Sequence, residues 1–217
     1  MRDFGLYIVI TRPVIDHLRF AEICVREETP ILQLREKELP DRELLRLASG
    51  MREITRGSRT LFFINDRPDI ALLSGADGLH LGPEDLPWPE AVKLIKPNKL
   101  LGVSTHSLEE ARQVITRYRA TAEGFRPDYM SFGPIFPTPV KAKADPPMGT
   151  HDLAQVVAQA PLPVVAIGGI FPEKLGEVLS SGVRNIAMIR YFSLCRDEAE
   201  LTDNIRNIKS ILKENIS

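Results

Sequence analysis

The chain predicts a closed (β/α)8, or TIM, barrel, and three observations carry that expectation. Short apolar, β-branched runs alternate with longer segments of helical period along all 217 residues, eight of each. The strand runs are apolar throughout, as in sheets covered on both faces. Each run is separated from the next by a helical segment, and such crossovers join parallel strands. An open doubly wound sheet is the competing arrangement. It usually carries a glycine-rich turn after its first strand, and here that turn is Thr11-Arg12-Pro13. Residues 1–217 are read as one barrel domain, with no linker and no repeat beyond the strand–helix rhythm.

The strands are expected at 6–10, 31–34, 61–64, 78–81, 100–103, 129–132, 164–167 and 185–189. The helices are expected at 13–27, from Asp41 as N-cap through Met51, at 68–73, 87–95, 108–119, 151–160, 172–180 and 198–212. Ser107 followed by Glu110 reads as a capping box. Prolines concentrate in a long loop after the sixth strand, FGPIFPTPVKAKADPPMG, and long loops in compact domains are usually functional.

Composition narrows the function classes. With 28 basic and 29 acidic residues the net charge is -1, which argues against a broad nucleic-acid or membrane surface. The two cysteines, Cys24 and Cys195, lack metal or redox spacing and read as thiols of a reducing cytosol. The start, MRDFGLYIVITRP, has too short an apolar run for a signal peptide, and no stretch is long enough to span a bilayer. A cytoplasmic soluble protein is expected, with a homo-oligomer left open.

In a barrel of this kind the active site lies at the C-terminal ends of the strands. The polar residues there are Gln33, Arg35 and Lys37 after strand two, and Asn65 and Asp66 after strand three. Asp85 follows strand four, Ser104 and His106 strand five, Thr138 and Lys141 strand six, Gly168-Gly169 strand seven and Arg190 strand eight. Asp66 and Asp85 end neighbouring strands, where paired carboxylates suit a hard cation such as magnesium; a helix cap and a solvated loop residue are the plainer readings. Arg35 and Lys37 alternate along a strand and so share a face, which calls for an anionic partner; a surface pair extending beyond the strand end is the plainer reading. Gly168-Gly169 before a helix opened by Pro172 reads as a phosphate cradle. Lys143 reads as solvated, His80 as a hydrogen-bonded core histidine, Trp88 as packing, and His17 and His151 as without a role.

Six segments in this order resemble the thiamine phosphate synthase family: QLREK (33–37), FINDRPDIAL (63–72), ADGLHLGPEDL (76–86), LGVSTHSLEEA (101–111), DYMSFGPIFPTPVK (128–141) and VAIGGI (165–170). The related thiazole tautomerase shares the fold and several of these motifs. The resemblance implies a magnesium-assisted transferase that joins hydroxymethylpyrimidine diphosphate to thiazole phosphate by a dissociative route. It implies pyrimidine and diphosphate contacts from Gln33, Arg35, Lys37, Asn65 and Ser104, and magnesium ligands in Asp66 and Asp85. Thiazole phosphate contacts would come from Thr138, Lys141 and Gly169, and catalytic roles fall to Lys141, Arg35, Lys37 and Ser104.

Two positions depart from the family pattern. PTxTK is here PTPVK, so Val140 lacks a hydroxyl, and Arg190 stands where a serine is common, where it either serves as a substitute phosphate ligand or fills the thiazole site and abolishes synthase activity. The tautomerase alternative would rely on His106 as acid–base residue, and a non-catalytic barrel binding a thiamine precursor is a third reading.

Overall fold

Apolar residues dominate eight short segments, and in the computed structural model, which describes residues 3–138 and 146–216, all eight are strands. They are β1 (Leu6–Ile10), β2 (Ile31–Leu34), β3 (Leu61–Asn65), β4 (Gly78–Leu81), β5 (Leu100–Thr105), β6 (Tyr129–Phe132), β7 (Val164–Ile167) and β8 (Asn185–Met188). Every neighbouring pair is parallel, and β8 returns to β1 with Leu6 opposite Ile186, so the sheet closes into a barrel.

The intervening helices are α1 (His17–Arg26), α2 (Asp41–Thr55), α3 (Pro68–Leu73), α4 (Trp88–Ile95), α5 (Leu108–Ala120), α6 (Gly149–Gln159) and α7 (Leu175–Leu179). A one-turn α8 (Arg190–Ser193) and the long α9 (Glu198–Ile216) complete the ring. Among the described residues, no helix is long and apolar enough to cross a membrane.

Local chemistry sets where the helices begin. Asp16 accepts from the backbone N–H groups of Leu18 and Arg19, so α1 starts at His17, later than the proline at 13 suggests. Ser107 accepts from Glu110 N–H, and the Glu110 carboxylate reaches back to His106 N–H at 2.7 Å, a capping box displaced by one residue. Asp41 is not the cap of α2 but its first residue. Pro40 occupies the cap, and the Asp41 carboxylate instead takes Arg67 at 2.7 Å. The helix expected from Pro172 is a 3-10 turn (Pro172–Lys174) followed by five helical residues. The turn of α8 and a 3-10 turn at Glu123–Phe125 carry too little apolar periodicity to be seen in sequence.

Burial on both faces explains why the strands read as continuous apolar runs. Ile8, Leu32, Ile64, Leu79, Leu101, Phe132, Ala166 and Ile186 point outward and pack beneath the helices. Tyr7, Val9, Ile31, Phe63, Tyr129, Val165 and Ala187 fill the barrel interior. The Tyr7, Phe63 and Tyr129 rings meet at centroid distances of 5.8 to 6.1 Å. Two glycines make room for them. A Cβ on Gly78 would lie 2.2 Å from the Phe63 ring, and one on Gly102 would lie 2.0 Å from the Tyr129 ring.

Three side chains brace the N-terminal end of the barrel. Asp77 and Asp128 each precede a strand and accept a backbone N–H from the strand before, Phe62 and Leu101 respectively. Each also takes a cation, Arg52 at 2.9 Å and Lys96 at 2.5 Å. Asn185 accepts from Phe4 and Gly5 N–H and donates to Val164 O, tying the seam between β8, β1 and β7.

Gly102→Ala forces a methyl into the space of the Tyr129 ring. It is expected to destabilise the fold by about 1–3 kcal/mol, read as a drop of about 2–12 °C in Tm. An unchanged Tm would show that Tyr129 does not fill that slot.

Candidate active site

The strand ends facing away from these braces open into a cavity of about 830 Å³. Gln33, Arg35, Lys37, Asn65, Asp66, Asp85, Ser104, Thr138, Gly169 and Arg190 all line it. They come from seven strand ends that are scattered in sequence, and barrel closure alone brings them together. Lys141, Lys143 and Val140 lie outside the described residues.

The Asp66 backbone is in the left-handed region (φ 63), a strained geometry for a residue with a Cβ. Its N–H donates to His80 O at 2.8 Å, which anchors the turn to β4. Asp66 therefore does not cap α3; Arg67 holds the cap position. The turn aims the Asp66 carboxylate at Lys37 Nζ, 2.8 Å away, and at the Asp85 carboxyl. Asp85 is held from below, accepting Gly82 N–H at 2.6 Å.

The two carboxyls are close enough for each to shift the other's proton affinity. Burial pushes the Asp85 carboxyl up to about 6, and its hydrogen bond to Asp66 and that residue's charge add to the shift. Burial also opposes charge on Asp66, but the hydrogen bond from Asp85 and the Lys37 ammonium outweigh it, leaving Asp66 below the usual carboxylate range. Two convergent carboxylates whose negative charges repel each other make a fitting pair of donors for a hard divalent cation. Among the described residues no cluster of three His, Cys, Asp or Glu side chains forms a metal cage. Two carboxylates with the remaining ligands from phosphate oxygens and water are the usual magnesium arrangement.

Arg35 and Lys37 do not alternate along a strand. β2 ends at Leu34, and both lie in the loop beyond it, with Arg35 N–H still donating to Ile10 O at 2.9 Å. Glu36, between them, is the residue that sequence reasoning passed over. Its carboxylate accepts from Arg12 N–H at 2.5 Å and contacts His17 Nε2 at 2.8 Å, so it pins the loops after β1 and β2 together. His17 thus has a structural partner where none was assigned. Among the described residues, neither the Arg35 nor the Arg190 guanidinium has a carboxylate partner, so both are available to an anion in the cavity.

Gly168 and Gly169 both have positive φ, 99° and 67°. A Cβ on Gly168 would lie 2.5 Å from Pro134 Cα, and one on Gly169 would lie 2.7 Å from Phe136 O. The pair is therefore required by the close approach of the sixth loop, whose Phe136 N–H donates to Gly168 O at 3.0 Å. The expected helix terminus beside it is only the 3-10 turn at Pro172. Arg190 opens α8 and is exposed at the mouth.

The floor of the cavity holds polar atoms inside otherwise apolar strands. His80 is buried, as expected of a core histidine, yet it also lines the cavity; burial pulls its imidazole down to about 4. Its ring nitrogens lie 2.8 Å from the Tyr129 hydroxyl and 2.8 Å from Ser104 Oγ. Tyr7, Tyr129 and Ser131 were not singled out in the sequence. The available signal was the period-two placement of Tyr7, Gln33, His80, Ser104, Tyr129 and Ser131 on the inward faces of their strands. His106 also lines the cavity, with Nδ1 2.6 Å from Gly133 O. Trp88 packs against the helical layer beneath the Arg117 guanidinium.

The chain is similar to proteins of one kind. The family model described as thiamine monophosphate synthase matches residues 6–192. A thiamine-phosphate synthase of Moorella thermoacetica is 40% identical over 214 residues, 96% of this chain and 97% of that protein. One of Chlorobium phaeovibrioides is 43% identical over 181 residues, covering 83% of each. The solved structure of a thiamine phosphate pyrophosphorylase from Pyrococcus furiosus superposes with a TM-score of 0.85 at 32% identity, over 99% of this chain and 98% of that one. With a family match that spans all eight strands and relatives this similar along nearly their whole length, the chain belongs to the thiamine monophosphate synthase family.

Proposed function

We propose that the protein is a transferase that joins the methylene carbon of an aminopyrimidine methyl diphosphate to the ring nitrogen of a thiazole phosphate, forming thiamine phosphate and releasing diphosphate. The observation that carries this reading is the Lys37–Asp66–Asp85 cluster set in the same cavity as Arg35 and Arg190, which have no carboxylate partner among the described residues. One end of the cavity is suited to a diphosphate with a divalent cation. The other, with Gly169, Thr138 and Arg190, is suited to a second anion. The full chain, 1–217, would act as one barrel in the cytoplasm on small-molecule substrates.

The chemistry needs no protein nucleophile. The C–O bond to the diphosphate breaks, and its electron pair leaves with the diphosphate. The aminopyrimidine ring spreads the positive charge of the methylene carbon, and the thiazole nitrogen lone pair then forms the C–N bond. Arg35, Lys37 and Lys141 would neutralise the departing diphosphate, with Lys141 assigned from its place in PTPVK. Asp66 and Asp85 would hold magnesium, which when bound supplies further positive charge to the leaving group. Gln33, Asn65 and Ser104 would orient the pyrimidine, so that the two reacting atoms meet in a near-attack geometry. The second phosphate would be held by Gly169, Thr138 and Arg190, the arginine replacing the common serine with a fork of donors.

The test is turnover of both substrates with magnesium, followed as thiamine phosphate. Asp66→Asn is expected to lower kcat/KM by at least about 100-fold, while His106→Ala leaves it within about tenfold. No product from folded wild-type protein, or a chain that isomerises a thiazole phosphate through His106 without need of Asp66, would overturn the synthase reading in favour of the tautomerase.

Arg190 carries a separate expectation. Arg190→Ala should raise KM for the thiazole phosphate about 10- to 100-fold, as loss of a charge-assisted bond does, and leave KM for the pyrimidine diphosphate nearly unchanged. Equal effects on both substrates would place Arg190 outside the thiazole end.

A further inference from the structure

The cavity floor is hydrogen-bonded in one unbroken chain across five strands. Gln33 Nε2 on β2 donates to the Tyr7 hydroxyl on β1 at 2.5 Å. The Tyr7 and Tyr129 hydroxyls are 2.8 Å apart, and the Tyr129 hydroxyl is 2.8 Å from His80 Nδ1. His80 Nε2 is 2.8 Å from Ser104 Oγ, which also accepts from Ser131 Oγ at 3.2 Å. Gln33, Tyr7, Tyr129, His80 and Ser131 are all buried.

Counting protons gives this chain a direction. Each phenol has one proton and two partners. Tyr7 accepts from the Gln33 amide, so its own proton goes to Tyr129. Tyr129 has then accepted, and its proton goes to His80 Nδ1. With Nδ1 accepting from Tyr129, the imidazole carries its single proton on Nε2, which points at Ser104 2.8 Å away. Ser104 Oγ accepts from His80 and Ser131, and its own proton is left for an acceptor in the cavity. At the other end Gln33 donates one N–H to Tyr7 and keeps its carbonyl oxygen as an acceptor for the ligand. Both ends line the cavity. From Gln33 to Ser104 the order is all or none, because reversing any of those links reverses the others.

We propose that Tyr7, Tyr129 and His80 are positioning residues that hold a one-way chain of protons, presenting a hydroxyl donor at Ser104 and an amide acceptor at Gln33 to the ligand. The cavity is thereby restricted to a heteroaromatic ring whose edge joins a ring-nitrogen acceptor to an amino donor. This deepens the synthase reading and rests on it, since a 4-aminopyrimidine carries such an edge. The 4-oxo counterpart inverts both groups and meets a donor with a donor and an acceptor with an acceptor.

Tyr129→Phe and Tyr7→Phe each remove one oxygen and keep the ring that packs the barrel. They break the chain at different links, so either alone suffices should the other fail to fold. Calorimetry with magnesium gives the affinity of wild type and variants for the 4-aminopyrimidine methyl diphosphate and for its 4-oxo analogue, beside kcat, KM and Tm. The wild type is expected to favour the amino compound by at least about 100-fold, the cost of two mismatched buried hydrogen bonds. The variants are expected to narrow that preference at least about tenfold, chiefly by binding the oxo analogue better. A preference unchanged in the folded variants, or a wild type that favours the oxo form, overturns the proton-ordered chain while leaving the synthase reading in place. A wild type that binds neither compound overturns both.

Discussion

Closure of the parallel sheet is the constraint on which the site depends. The pairing of β1 with β8 removes both sheet edges and turns eight separate strand ends into one rim. The Asn185 side chain and the Ile186 N–H bond to Gly5 O hold that seam at the N-terminal end. The interior is then filled by large rings rather than left as a pore, and Gly78 and Gly102 are what let Phe63 and Tyr129 reach the axis. Those rings set the height of the cavity floor.

Above the floor the chain concentrates charge that it does not fully neutralise. Lys37 answers Asp66, but the Asp85 carboxyl, raised to about 6 by burial and by its neighbour, has no cation of its own, and Arg35 and Arg190 have no carboxylate, among the described residues. Such a site is costly without ligand, and its cost falls when an anion with a divalent cation enters. The positive φ of Asp66 belongs to the same economy. A strained turn is retained where it aims the carboxylate at Lys37 and Asp85.

Most of the frame was legible because a strand buried on both faces leaves an unmistakable apolar run. Val164–Ile167 and Leu6–Ile10 were readable to the residue for that reason. Boundaries were lost where polar residues continue a strand, as Ser104 and Thr105 do in β5, or where a proline takes the cap, as Pro40 does before α2. The rim residues were legible by position, since strand ends in a barrel converge. Arg35 and Lys37 were placed correctly at the cavity for a wrong local reason, strand alternation, when the loop pinned by Glu36 is what presents them. Glu36, Tyr7 and Tyr129 escaped notice because their partners are distant in sequence: Tyr7 meets a residue 122 positions away. Only the closed barrel brings such groups within hydrogen-bonding distance.

The central claim is that Asp66 and Asp85, beside Lys37, build a site for a diphosphate with its cation. Titration of inorganic diphosphate into wild type and Asp85→Asn, with and without magnesium, tests it most directly. Magnesium should tighten diphosphate binding to the wild type at least about tenfold, as a cation bridging carboxylates and phosphate oxygens would, and should do far less in the variant. Diphosphate binding indifferent to magnesium in the wild type, or equally enhanced in Asp85→Asn, would contradict the account.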